Sequence, residues 1–164
     1  MLGKSVEDAL NEQVKNEFYA AFTYLSMSAY FNGANLDGFA NWMRIQSQEE
    51  MGHAMKIFNF ILDRGGRVHL RAIEEPPSTF KSPLDAFEKA LEHEQRVTQM
   101  INRLLELAVK ENDYPTQGML QWFITEQVEE EKSASMAVEQ LKMVGEDNAG
   151  LLMLSMRMGE RKPE

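Results

Sequence analysis

Four glutamates interrupt the middle of four otherwise apolar helical stripes, and any fold for this chain has to bring those interruptions to one place. Read at alternating spacings of three and four, the first stripe is Leu10, Val14, Glu17, Ala21, Tyr24, Ser28 and Phe31. The second is Phe39, Trp42 with Met43, Gln46, Glu50, His53, Ile57 and Phe60. The third is Phe87, Leu91, Glu94, Val97, Ile101, Leu105 and Ala108, and the fourth is Leu120, Phe123, Gln127, Glu130, Ala134 and Leu141. Every stripe is apolar at its ends and polar at its centre.

The segments carrying these stripes, at about 5–32, 37–64, 83–111 and 115–144, are rich in the strong helix formers Ala, Leu, Glu, Gln, Met and Lys. Breakers cluster between them, in NGANLDG, in Gly65-Gly66, in NDYP and in GEDNAG. Ser82, Pro83 and Asp85 supply a cap, a preset φ and an acid for the start of the third helix. Gly65, Gly66 and Gly145 fall where left-handed residues close a helix. An apolar tail, Leu151, Leu152, Leu154 and Met158, predicts a short fifth helix over about 148–158. No strand pattern competes with this reading.

Loop length sets the topology. The first and third links are short, so their flanking helices pair antiparallel. The link at 65–82 contains Pro76-Pro77 and is too long for a local turn. It reaches roughly 60 Å at about 3.3 Å per residue, whereas a helix of about 28 residues spans roughly 42 Å. The link is therefore long enough to run the length of the bundle and make the second and third helices parallel. The expectation is an all-α four-helix bundle with one long crossover and a short fifth C-terminal helix, a single domain over 1–164.

In that bundle Glu17, Glu50, Glu94 and Glu130 lie about 11 to 15 positions into their segments, which puts them in one layer at ~1.5 Å rise per residue. Buried carboxylates brought together repel unless protons or cations intervene. Composition favours cations: 26 Asp+Glu against 17 Lys+Arg give a net charge of -9, a poor match for nucleic-acid phosphates. Zero cysteine excludes disulfides, zinc knuckles, iron–sulfur clusters and thiol nucleophiles. Glu50 and His53 form Glu-x-x-His, whose spacing places both on one helix face. One imidazole among four carboxylates suits about two bridged sites, and mixed His/carboxylate ligation favours iron or manganese, with iron the better choice.

At this point the sequence resembles a known family. Glu17 and Glu94 as lone glutamates, the motif Glu50-Met51-Gly52-His53, and Gln127-Val128-Glu129-Glu130 in place of a second Glu-x-x-His are similar to non-haem ferritins of the bacterial and archaeal type. NEQVKNEFYAAFTYLSMSAYF, GFANWMRIQSQEEMGHAMK, KALEHEQ and LQWFITEQVEEE extend the resemblance end to end. It implies a ferroxidase that oxidises Fe(II) with O2 or H2O2 and stores ferric mineral in a 24-subunit shell. It further implies Glu17, Glu50 and His53 at the first iron, Glu50, Glu94 and Glu130 at the second, and Gln127 as a hydrogen-bonding neighbour. Tyr24 resembles a tyrosine that contacts a ligand and supplies an electron. Glu49, Glu126 and Glu129, with Glu130, resemble a third iron site.

Alternatives stand beside this reading. Met51 sits where bacterioferritins carry a haem-ligating methionine, although non-haem ferritins also carry methionine there, so no haem is expected. A mini-ferritin fits less well because its iron lies between subunits, and a rubrerythrin would need cysteines. From another class, a helical metal buffer would bind ions without redox turnover. His93 and His69 are expected at the surface. The chain has no apolar run near the ~20 residues of a membrane helix and no signal-like h-region, which leads to the expectation of a cytoplasmic protein with no membrane or nucleic-acid partner.

Overall fold

The computed structural model describes residues 1–163. Five helices follow in order: α1 (Lys4–Gly33), α2 (Asp37–Asp63), α3 (Pro83–Lys110), α4 (Tyr114–Val144) and α5 (Asn148–Met158). There is no strand among the described residues. The main pairs are α1 on α2 and α3 on α4, with α1 also meeting α3, and α5 seated on α2 and α4. None of the helices among the described residues is long and apolar enough to cross a membrane.

Local chemistry explains the helix ends. Ser82 Oγ accepts the Asp85 amide at 3.1 Å, with Pro83 opening α3. Asp113 and Asp147 cap α4 and α5 in the same way. Gly65 and Gly145 have φ of 70° and 57°, a region where a Cβ is costly. Asn35 and Asn112 take the same left-handed turn in the two short links, at φ of 57° and 54°. Gly66, expected in this region with Gly65 and Gly145, does not have a positive φ, whereas the two asparagines tolerate it because their side chains can bond locally.

The crossover is stitched along α1. The Arg67 amide meets Glu7 Oε2 at 2.9 Å, the His69 amide meets Asn11 Oδ1 at 2.6 Å, and Glu74 takes Lys15 at 2.7 Å. Ser26 Oγ then donates to the Pro77 carbonyl at 2.7 Å. Partners on α1 thus advance from Glu7 to Ser26 while the crossover advances from Arg67 to Pro77. The link runs parallel to α1, back toward the start of α2, where α3 begins. That path is what makes α2 and α3 parallel.

The apolar core lies in two blocks. One gathers Tyr24, Phe31, Phe39, Trp42, Phe87 and Leu141, with Phe31, Phe39 and Phe87 centroids 5.3 to 5.6 Å apart. The other gathers Leu10, Val14, Ile57, Ile101, Leu120 and Phe123. Burying each such side chain stabilises by about 1.5–3 kcal/mol, so the two blocks clamp both ends of the bundle. On α3 the buried register runs through Ala90 and Leu104, leaving Leu91 and Leu105 half-buried. Between the blocks lies the polar layer.

Candidate metal centre

Glu17, Glu50, His53, Glu94 and Glu130 are all buried, one from α1, two from α2 and one each from α3 and α4. One oxygen each of Glu17 and Glu50 and one ring nitrogen of His53 lie within 4.8 Å of one another, as do ligand atoms of His53, Glu126 and Glu130. His53 Nδ1 is 3.2 Å from Glu50 Oε2. The opposite ring nitrogen, Nε2, is 3.8 Å from Glu126 Oε1. The imidazole is held edge-on by Trp122 and Phe123, at centroid distances of 5.4 and 5.9 Å.

Amides and one phenol orient the carboxylates. Gln13 Nε2 donates to Glu17 Oε1 at 2.7 Å. Gln46 Nε2 donates to Glu130 Oε2 at 2.6 Å and reaches Glu50 Oε1 at 3.3 Å. Gln127 Nε2 lies 3.2 Å from both Glu94 Oε2 and the Glu94 carbonyl, and 3.3 Å from Thr98 Oγ1. Tyr24 donates its hydroxyl to Glu94 Oε1. Glu17 Oε2 remains buried without a hydrogen-bond donor.

Electrostatics follow from this crowding. Burial, and then the Glu50 charge, push the Glu17 carboxyl up to about 8. Burial, then Glu94 and Glu130, hold Glu50 well above the usual carboxylate range. Glu94 is also raised by burial, against the opposing hydrogen bonds from Tyr24 and Gln127. Burial and the Glu94 charge raise Glu130. Burial, and then Glu94, push the Tyr24 phenol well above its ordinary value. Without metal these acids retain protons that are lost in water. A divalent cation would supply the missing positive charge and a partner for Glu17 Oε2, so the donor set fits hard or borderline metal ions.

The residues expected at an outer position separate. Glu126 is half-buried and faces His53. Glu49 forms an ion pair with Arg161. Glu129 is 68% exposed and lies 3.6 Å from Lys132. Met51 is exposed on the outer side of α2. His69 is exposed as expected, but His93 is not at the surface. It is 8% exposed, flanked by the rings of Tyr19 and Tyr24 at 6.2 and 6.0 Å. Burial holds its imidazole neutral, down to about 4. A quarter-turn from Glu94 still faces α1, because that helix packs against α3.

Three neighbours of the centre were missed by sequence reasoning as functional residues. Gln13 and Gln46 each precede their glutamate by four residues, a spacing that puts an amide over a carboxylate on one helix face. That signal was present in the sequence. Arg161 gave none, since its position depends on how the chain folds back after α5.

A four-helix bundle that converges carboxylates and an imidazole from facing helices on one interior layer has the architecture of proteins that build a carboxylate metal site in the bundle core. Comparison with known proteins narrows the class. The ferritin-like domain of the ferritin family matches residues 7–144. Bacterial non-heme ferritins from Bacteroides fragilis and Staphylococcus aureus are 39% and 38% identical over 161 residues, covering 98% of this chain and 100% and 97% of theirs. An engineered closed form of the Archaeoglobus fulgidus ferritin superposes with a TM-score of 0.99 at 50% identity, covering both chains fully. The open-pore ferritin of the same archaeon gives 0.98 at 50% identity over 99% of this chain and 100% of that one. The chain belongs to the ferritin family.

Proposed function

We propose that the protein is an iron-storage ferritin subunit whose buried layer is a ferroxidase centre. The observation that carries this reading is the convergence of Glu17, Glu50, His53, Glu94 and Glu130 in one buried layer, where Glu17 Oε2 has no hydrogen-bond donor. Fe(II) is the substrate. Glu17, Glu50 and His53 bind one ion, Glu50, Glu94 and Glu130 bind the second, and Glu50 bridges. Gln127 steadies Glu94, and Tyr24 holds the same carboxylate from the other side.

Two Fe(II) ions held together each give one electron to the oxidant, which with two protons goes from O2 to H2O2 or from H2O2 to two waters, and the oxidised iron leaves for a storage cavity. The protein supplies proximity of the two ions and preset carboxylates, so little reorganisation accompanies the change in charge. Glu49, Glu126 and Glu129, with Glu130, form the outer binding position for a third ion. The subunit, one domain over 1–164, assembles with copies of itself into a shell of 24, works in the cytoplasm and needs no haem at Met51.

Stopped-flow oxidation of Fe(II)-loaded protein, with O2 consumption followed on the same preparation, tests this directly. The expected result is rapid oxidation saturating at two Fe(II) per subunit. Binding of Fe(II) without O2 or H2O2 consumption would instead make the protein a metal buffer.

A further inference from the structure

The segment following α5 folds back onto the start of α2. Asn41 Nδ2 donates to the Gly159 carbonyl at 3.0 Å, and the Phe39 amide donates to Ser155 Oγ at 3.2 Å. A Cβ on Gly38 would stand 1.7 Å from the Ser155 carbonyl oxygen, so only glycine permits this approach. The docking carries Arg161 to the flank of the carboxylate layer, where its side chain is 20% exposed. One guanidinium nitrogen donates to Gln46 Oε1 at 2.7 Å and the other pairs with Glu49. The guanidinium carbon lies over the Trp42 ring, 4.6 Å from its centroid.

Two consequences follow from this placement. Gln46 has a carbonyl end and an amide end, and a donor on its oxygen fixes which end faces inward. With Arg161 in place, the amide end faces Glu130 and Glu50. Glu49, meanwhile, already has a cation. A planar, permanently charged fork suits the simultaneous grip on an amide oxygen and a carboxylate. A cleft of about 540 Å³, lined by Trp42, Met136, Gln140, Arg157 and Arg161 among others, opens beside the guanidinium.

We propose that Arg161 is a tethered cation that occupies Glu49 in place of metal and positions Gln46 over the ligands Glu50 and Glu130. Admission of a third ion at the outer position then requires this side chain to let go. The inference rests on the reading of Glu49 as an outer-site ligand beside a two-ion centre. Arg161 is a positioning residue, acting through Gln46 and Glu49.

Anaerobic equilibrium titration with Fe(II) tests it, using the full assembled protein and the variants R161Q, R161K and R161Q/E49Q. The first two ions should bind all four proteins, more weakly in R161Q and R161Q/E49Q, where nothing holds the Gln46 amide toward Glu50 and Glu130, and the third should bind R161Q about tenfold more tightly than wild type, the scale of one charge-assisted contact. The gain should disappear in R161Q/E49Q, and R161K, which keeps the charge, should retain the weak third ion of wild type. Two ions bound normally, with third-ion affinity equal in R161Q and wild type, would overturn the role of Arg161 and leave the two-ion centre standing. A gain that persists in R161Q/E49Q would overturn the assignment of Glu49 as the residue Arg161 guards. Fewer than two ions on wild type would remove the underlying centre, and the inference with it.

Discussion

The Tyr24 hydroxyl donates to Glu94 Oε1, tying α1 to α3 inside the carboxylate layer. This link matters because α1 and α3 belong to different helical hairpins. Phe in place of Tyr24 keeps the ring and its packing, so α-helix content should be unchanged. The loss should cost about 1–2 kcal/mol of apo stability, the scale of a hydrogen bond to an acidic group. It should also loosen Glu94, which then relies on Gln127 alone, and weaken binding of the second ion more than the first. Chemical denaturation and anaerobic Fe(II) titration of Y24F measure both effects. Unchanged binding of the second ion would show that the phenol does not steady its ligand.

Glu50→Ala should nearly abolish rapid iron oxidation, because both ions lose their shared ligand. The fold should survive, since Ala favours helix and the change removes a charge from a repelling cluster. Circular dichroism and stopped-flow absorbance on one preparation give the comparison. Initial rates equal to wild type would contradict the bridging role.

Proton linkage through the carboxylate layer favours the metal-free fold in mild acid, opposed there by His93, whose burial as a neutral ring loses stability as pH falls below its ordinary 6.5. Glu17 keeps its proton up to about 8 when folded, against 4.5 in its ordinary state. Between those values the folded chain binds more protons than the unfolded chain, so unfolding free energy falls as pH rises. The contribution is fully present below about 4.5 and is gone above about 8. The Tm of apo protein should therefore decline across this window, and Glu17→Gln should flatten the decline and add about 1 kcal/mol or more near its upper end. Saturating Zn(II), a redox-silent occupant, should raise Tm most at the alkaline end, where it replaces the lost protons. An apo Tm that climbs from pH 5 to 8 would contradict the linkage.

The outer position predicts a graded effect. Glu126 faces His53, whereas Glu129 is solvent-exposed beside Lys132 and Glu49 is paired with Arg161. Preorganisation is therefore weaker there than in the buried layer. Glu49→Ala combined with Glu126→Ala and Glu129→Ala should leave two irons per subunit. It should alter iron-to-oxygen stoichiometry or later turnover more than the first fast phase. Equal Fe(II) binding by variant and wild type would reduce these glutamates to a hydrated face.

Much of this architecture was readable from the residues because periodicity and burial report the same quantity. Glu17, Glu50, Glu94 and Glu130 broke apolar stripes at matching depth, and the structure buries all four between two apolar blocks. The crossover was readable from length alone, since only a traverse of the bundle uses so many residues. His93 was misread because its burial comes from the tyrosines of α1, which no feature of α3 announces. Gln46 stood on the stripe, but its hydrogen bond to Glu130 joins residues on different helices. Arg161 depends on a further tertiary step, the return of the chain across Gly38, and no local pattern encodes it.

Anomalous diffraction from iron-soaked crystals tests the central claim most directly. The account predicts two iron peaks inside each bundle, one beside Glu17, Glu50 and His53 and one beside Glu50, Glu94 and Glu130, with Glu50 contacting both. Crystals that take up iron only at surface carboxylates such as Glu129, leaving the buried layer without anomalous density, would contradict it.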